Sequence, residues 1–110
     1  MKPIEIEELL KATRHDKPKI RKSALLDLCP CRVKANNVKI WDRLLAMRND
    51  EDASVRSIVL HNLCDGSPKE RKEEIVNAVE ELAQDQDRKL RRRARNALAV
   101  YRKTGVINSE

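Results

Sequence analysis

A pattern that recurs every 35 residues constrains this chain more than any other feature. Three segments align without a gap: HDKPKIRKSALLDL from His15, DEDASVRSIVLHNL from Asp50 and DQDRKLRRRARNAL from Asp85. Apolar or small residues share columns in the alignment: Ile20, Val55 and Leu90; Ala24, Val59 and Ala94; Leu28, Leu63 and Leu98. Helical spacing within a fixed period predicts stacked helix pairs, because each pair buries its apolar face only against its neighbours.

Cap and breaker residues divide the chain into six predicted helices. Their predicted bounds are Pro3–Arg14, Pro18 to about Cys29, Val38–Arg48, Ala53–Cys64, Ser67 to Ala83, and Arg88–Arg102. Asn36 and Asn37 are expected caps for the third helix, Asp52 and Asp87 are expected N-caps of the fourth and sixth, and Ser67 with Glu70 matches the capping-box pattern. Pro30 should end the second helix, and Gly66 and Gly105 should stop the fourth and sixth. We therefore expect one domain over residues 1–105, with repeats at about 3–31, 36–66 and 67–104, and a tail at 106–110.

The core predicted from these faces is aliphatic, because the chain has one Trp, one Tyr and no Phe. In the first helices of the pairs, the inward set is Ile6, Leu9, Leu10 and Thr13; Val38, Ile40, Trp41, Leu44, Leu45 and Met47; and Ile75, Val76, Val79 and Leu82. The second helices should contribute Ile20, Ala24 and Leu28 and the residues that align with them. Such a core needs neighbouring units to be complete.

Composition excludes several classes of protein. No apolar run approaches the length of about 18 residues that a membrane-spanning helix needs, and the acidic start MKPIEIEELL is unlike a signal peptide. Three Cys residues, an odd number without a disulfide-framework spacing, fit a reducing cytoplasm. The expected localisation is therefore cytoplasmic.

The turns carry a family resemblance. An Asp in the turn, followed six residues later by the Arg of an aliphatic-Arg pair, resembles the HEAT repeat: Asp50 precedes Val55-Arg56, and Asp85 precedes Leu90-Arg91. In the first unit, His15 stands where this Asp is expected. The resemblance implies an all-α fold, a short right-handed α–α superhelix (solenoid) of three helix pairs, with the second helix of each pair on the concave side. It also implies a structural turn ladder of Arg21, Asp50, Arg56, Asp85 and Arg91, in which Arg donates to the turn Asp and to loop carbonyls; contact with phosphate or an acidic ligand is the alternative.

The face of the second helices opposite the core is the candidate binding surface. It carries Lys22, Ser57 and Arg92; Leu25, Leu60 and Arg95; Leu26, His61 and Asn96; and Cys29, Cys64 and Ala99. Leu25 and Leu60 either line this surface or pack between adjacent second helices. The face is apolar at one end and basic at the other, which suits an acidic or amphipathic protein segment. The expected partner-binding residues are Lys22, Leu26, His61, Arg92 and Arg95, in a non-enzymatic interaction module without a cofactor that is a monomer or weak dimer.

Nucleic acid is the main alternative partner. Eight basic residues and no acid lie between Arg88 and Lys103 in a chain of net charge +6, and such a run can neutralise phosphates. No aromatic stacking platform accompanies them. The acids lie mainly in turns and in the first helices of the pairs, and no nucleophile with an oriented base is evident, so catalysis is not expected.

A metal or redox site is a further, less favoured alternative. Cys29 and Cys64 occupy one column, and His61 lies three residues before Cys64 on the same helix face. The three could supply N and S ligands to zinc. Small buried Cys residues at repeat positions are common without any metal, and the sequence offers no evident fourth ligand, so no metal is expected.

Overall fold

The computed structural model describes residues 2–33 and 37–107, and all regular structure in them is helical. This confirms the all-α class. The α-helices are α1 (Pro3–Ala12), α2 (Pro18–Asp27), the four-residue α3 (Pro30–Val33), α4 (Val38–Ala46), α5 (Ala53–Leu63), α6 (Lys72–Leu82) and α7 (Arg88–Thr104). Two 3₁₀ turns, Met47–Asn49 and Lys69–Arg71, follow α4 and precede α6. The six longer helices correspond to the six that the sequence predicts.

Side-chain caps begin three of these helices. The Asp52 carboxylate accepts from the backbone N–H groups of Ser54 and Val55, and the Asp87 carboxylate accepts from that of Leu90 at 3.0 Å. Both predicted N-caps are confirmed. Asn37 caps α4 in the same way, whereas its predicted companion Asn36 lies outside the described residues. These bonds satisfy donors that have no intrahelical partner.

The end of α7 also follows the prediction. Gly105 has φ 75°, and its N–H donates to the carbonyl oxygen of Tyr101 at 2.7 Å. A residue with a Cβ would be strained in this left-handed conformation, which is why glycine suits the position. Ile107, which the sequence places in a tail, is buried against the core.

Two predicted boundaries are wrong. Pro30 does not stop α2, which already ends at Asp27; it occupies the first position of the short helix α3, where a missing N–H costs nothing. The expected capping box does not start α6. The chain first forms the 3₁₀ turn after Pro68, and α6 then begins at Lys72. Arg71, the N-cap residue of α6, makes no side-chain capping hydrogen bond.

The helices contact one another in sequential pairs. The pairs α1 with α2, α4 with α5, and α6 with α7 pack together, and α5 also packs against α2, α6 and α7. Helix α5 is therefore the centre of the fold, and Val55, Val59, Leu60 and Leu63 on it are 0% exposed. The buried Asn62 side chain donates to the carbonyl oxygen of Leu25 at 2.8 Å and links α5 to α2.

Burial corrects several of the expected core residues. Leu9, Leu10 and Val76 are only half-buried and pack against the edge of the core. Val38 is 64% exposed because it is the first residue of α4 and projects beyond the packed part of that helix. Ile20 is only half-buried, although Val55 and Leu90 in the same column are buried. Helices α5 and α7 each pack against a preceding second helix, whereas α2 packs mainly against α1 and α5 in the described chain.

Candidate functional site

Two arginines near the starts of α2 and α5, Arg21 (buried) and Arg56 (half-buried), each bind two successive turns. Arg21 donates to both carboxylate oxygens of Asp50 at 3.0 Å and to the carbonyl oxygens of His15 and Asp16. Arg56 donates to both carboxylate oxygens of Asp85, at 2.8 and 3.0 Å, and to the carbonyl oxygen of Asp50 at 2.7 Å. Each guanidinium therefore joins its own turn to the following one through a bidentate charged pair.

This geometry differs from the pairing that the sequence suggests. The sequence associates Asp50 with Arg56, but the Asp50 carboxylate binds Arg21, and only its backbone carbonyl binds Arg56. The presence of His15 in place of an Asp therefore costs Arg21 no ion pair, because the carboxylate that binds Arg21 belongs to Asp50 in the next turn. Arg91 donates to the carbonyl oxygens of Asp85 and Gln86.

Opposing effects set the pKa values of the Asp85–Arg56 pair. Burial alone would raise the pKa of Asp85, but the Arg56 hydrogen bond, the Asp87 N–H and the charges of Arg56 and Arg91 together hold that pKa below its usual value. The Asp85 hydrogen bond likewise raises the pKa of Arg56 against the effect of its burial. Both groups remain charged near neutral pH and are occupied with each other, which favours the structural role of the ladder.

The outer face of α2, α5 and α7 carries four of the five expected binding residues. Leu26 is 49% exposed, Arg92 is exposed, and Lys22 and His61 are half-buried. We call these four residues, which lie on the side of the second helices that the HEAT resemblance implies to be concave, the outer face. The alternatives for Leu25 and Leu60 are resolved in favour of packing, because both side chains are 0% exposed. Leu26 is therefore the main apolar group that this face offers.

The Arg95 side chain is exposed, but it is turned toward the end of α6. Its Nε donates to the carbonyl oxygen of Ala83 at 3.1 Å, at the end of α6. With Arg102 it lines a depression between α6 and α7 whose other wall carries Glu80 and Glu81. Its column partners Leu25 and Leu60 are both 0% exposed, so this column belongs to the packing side of the helices.

The two described cysteine side chains have different surroundings. Burial raises the pKa of the Cys64 thiol to about 12, and the nearby Arg93 charge only partly opposes this. Arg93, which the sequence does not single out, also donates to the Ser57 hydroxyl and so bridges α7 to α5. Cys64 is thus a neutral, buried thiol near neutral pH.

Cys29, by contrast, lies in a cluster of polar groups. The Cys29 thiol donates to Asp65 Oδ2 at 3.1 Å. Cys29, His61 and Asp65 each offer one ligand atom, and these three atoms lie within 4.8 Å of one another. Asp65, and not Cys64, therefore joins Cys29 and His61. The helix wheel carries no signal for Asp65, because α5 ends at Leu63 and Asp65 follows it.

Comparison with known proteins gives no relative from which a function could be transferred. No protein-family model, curated protein or solved structure matches this chain. In the part of the chain that the structure describes, none of the helices is both long enough and apolar enough to cross a bilayer. Function must therefore be argued from the site itself.

Proposed function

We propose that this chain is a HEAT-type array of three helix pairs that acts as a non-enzymatic protein-interaction module. Its outer face, formed by Lys22, Leu26, His61 and Arg92, binds an acidic, amphipathic protein segment. The contacts among the second helices and the Arg–Asp pairs between successive turns support the array. The outer face supports the choice of partner.

One observation carries this proposal. Leu26 is 49% exposed, while its neighbour Leu25 on the same helix is 0% exposed. A large aliphatic side chain held half in solvent next to basic groups offers an anchor for an apolar side chain, and nearby acidic groups of the partner can pair with the cations. A nucleic-acid backbone would use the cations and leave Leu26 without a role.

The basic residues of α7 support nucleic acid as the second candidate. Arg88, Lys89 and Arg92 are exposed, and no acidic residue lies among them on this helix. Phosphate binding depends steeply on salt, because it releases condensed counterions. Binding that rests partly on an apolar anchor depends on salt less steeply.

A synthetic amphipathic peptide in which Glu residues flank Leu anchors tests the proposal by fluorescence anisotropy. We expect Arg92→Glu to weaken binding by about tenfold, because a favourable charge contact becomes a repulsive one. Leu26→Ser should weaken binding as well. Arg95→Glu is the matched control: it makes the same charge change three residues along α7, on the side that faces the end of α6, and should change binding much less.

Two further probes separate the candidates. A peptide with Lys in place of Glu should bind weakly, and a DNA duplex should not compete with the acidic peptide at moderate salt. Equal losses of peptide affinity in Arg92→Glu and Arg95→Glu would contradict the assignment of the peptide-binding site to the outer face. Duplex binding that is tighter than peptide binding and unaffected by Leu26→Ser would support the nucleic-acid alternative instead.

A further inference from the structure

Three side chains of different chemistry meet between α2 and α5. Cys29 follows the end of α2 and is 3% exposed, His61 lies in the last turn of α5, and Asp65 lies just beyond the end of α5. Their ligand atoms lie within 4.8 Å of one another. His61 and Asp65 are four residues apart, whereas Cys29 is 32 and 36 residues away from them in sequence. The fold therefore assembles this cluster from two separate helix pairs.

The chemistry of the cluster selects one class of ligand. A thiolate, an imidazole and a carboxylate are the three protein ligands of zinc. The set is too rich in S and N for Mg²⁺ or Ca²⁺, which take oxygen ligands. Three protein ligands match the number found in zinc sites that keep one position for water or another small ligand.

The distances fit such an ion after small side-chain movements. Zinc lies about 2.0 to 2.3 Å from N, O and S ligands, so the ligand atoms of a tetrahedral site are about 3.4 to 3.6 Å apart. The Cys29 Sγ to Asp65 Oδ2 distance of 3.1 Å is slightly below this range, and the other separations are at most 4.8 Å. His61 and Asp65 are only half-buried, so rotation about their side-chain bonds can close the remaining gap.

We propose that Cys29 Sγ, His61 and Asp65 form a binding site for a single Zn²⁺ ion, with water as the fourth ligand. On binding, the Zn–S bond replaces the thiol S–H bond, and the thiol proton, which now points to the Asp65 carboxylate, leaves to solvent. The ion links the end of α2 to the end of α5. His61 belongs to both the zinc site and the outer face. Zinc binding is measured without peptide and peptide binding without metal, so either proposal can fail alone.

The full-length chain, stripped of metal with a chelator and kept reduced with a phosphine, is the material for the test. Zn²⁺ titrated against a chromogenic competitor should bind at one ion per chain. Co²⁺ in its place should give the intense thiolate-to-cobalt charge-transfer absorption of a tetrahedral site with one sulfur ligand. Because the ion binds the folded state, Zn²⁺ at about 100 times its Kd should raise Tm by about 10 °C.

Single substitutions identify the ligands. Cys29→Ser, His61→Ala and Asp65→Asn should each abolish the stoichiometric binding, and Cys29→Ser should also abolish the charge-transfer band. Cys64→Ala and Cys31→Ala are the matched thiol controls and should keep both. Circular dichroism checks that each variant is folded; if Cys29→Ser does not fold, Asp65→Asn and the cobalt spectrum of the unaltered chain decide.

Several results would overturn the assignment. They are a chain without stoichiometric Zn²⁺ binding, a cobalt complex without the thiolate band, and full binding in folded Asp65→Asn or His61→Ala. Loss of binding in a folded Cys64→Ala or Cys31→Ala variant would equally contradict this ligand set.

Discussion

Leu25→Ala is expected to lower the free energy of unfolding by about 3 kcal/mol, which corresponds to a fall in Tm of about 10 °C. Leu25 is 0% exposed and lies on α2, which packs against both α1 and α5. The substitution removes three buried carbon atoms and leaves a cavity that the surrounding helices can only partly close. Equilibrium unfolding in urea, monitored by circular dichroism, measures the change.

The adjacent residue provides a matched control for this change. Leu26→Ala makes the same chemical change on the same helix, but Leu26 is 49% exposed, so the loss should stay within about 0.5 kcal/mol. The pair also separates packing from binding, because only Leu26 belongs to the outer face. Similar losses of stability in the two variants would mean that α2 does not sit on α5 as described.

Asp85→Asn is expected to cost about 2 kcal/mol at neutral pH. The substitution keeps the size of the side chain but removes the charge that binds Arg56 in two hydrogen bonds, and it leaves a largely buried guanidinium without its counter-ion. Thermal and urea unfolding of the variant measure this cost. A double-mutant cycle with Arg56→Gln isolates the pair and should return a coupling of about 1 to 2 kcal/mol.

The same pair gives the stability a defined dependence on pH. The pKa of Asp85 is lower in the folded chain than in the unfolded chain, so its contribution is complete above the unfolded value of about 3.9. The contribution is lost as the pH falls from there through the folded value. Unfolding measured from pH 7 downward should show less acid destabilisation in Asp85→Asn than in the unaltered chain.

Glu51→Gln is the control for both effects. Glu51 lies in the turn before α5, as Asp85 lies in the turn before α7, and its side chain is 85% exposed. Removing its charge should therefore change the free energy of unfolding by less than about 0.5 kcal/mol. It should also leave the loss of stability at acid pH unchanged. An Asp85→Asn variant that behaves like Glu51→Gln would show that the Asp85–Arg56 pair does not stabilise the fold.

The sequence predicted the elements of this fold well, because local rules decide most helix ends. Asp52, Asp87 and Gly105 act through groups within four residues of themselves, and all three were predicted correctly. The start of α6 was not, since a 3₁₀ turn at Lys69–Arg71 competes with the expected cap on Ser67. Either a 3₁₀ turn or a side-chain cap can satisfy the free N–H groups at the start of a helix, and the spacing of apolar residues does not distinguish between the two.

Contacts between segments that are distant in sequence explain why some predictions of burial and of site residues were wrong. Arg92 and Arg95 are three residues apart and chemically identical, yet only the position of α6 shows that Arg95 faces the carbonyl oxygen of Ala83. Asp65 lies outside the helix wheel of α5, so the column comparison paired Cys29 with Cys64 instead. The alignment of repeats finds equivalent positions, but it does not find neighbours that come from a helix end and a turn.

A titration of ¹⁵N-labelled chain with the acidic Leu-anchored peptide, followed by two-dimensional NMR, tests the proposed function most directly. The proposal predicts that shifted amide signals concentrate on α2, α5 and α7 around Leu26, His61 and Arg92. Signals of α1, α4 and α6 should stay nearly unchanged. Shifts concentrated on α1, α4 or α6, or no shifts at a peptide excess that saturates the anisotropy signal, would contradict it.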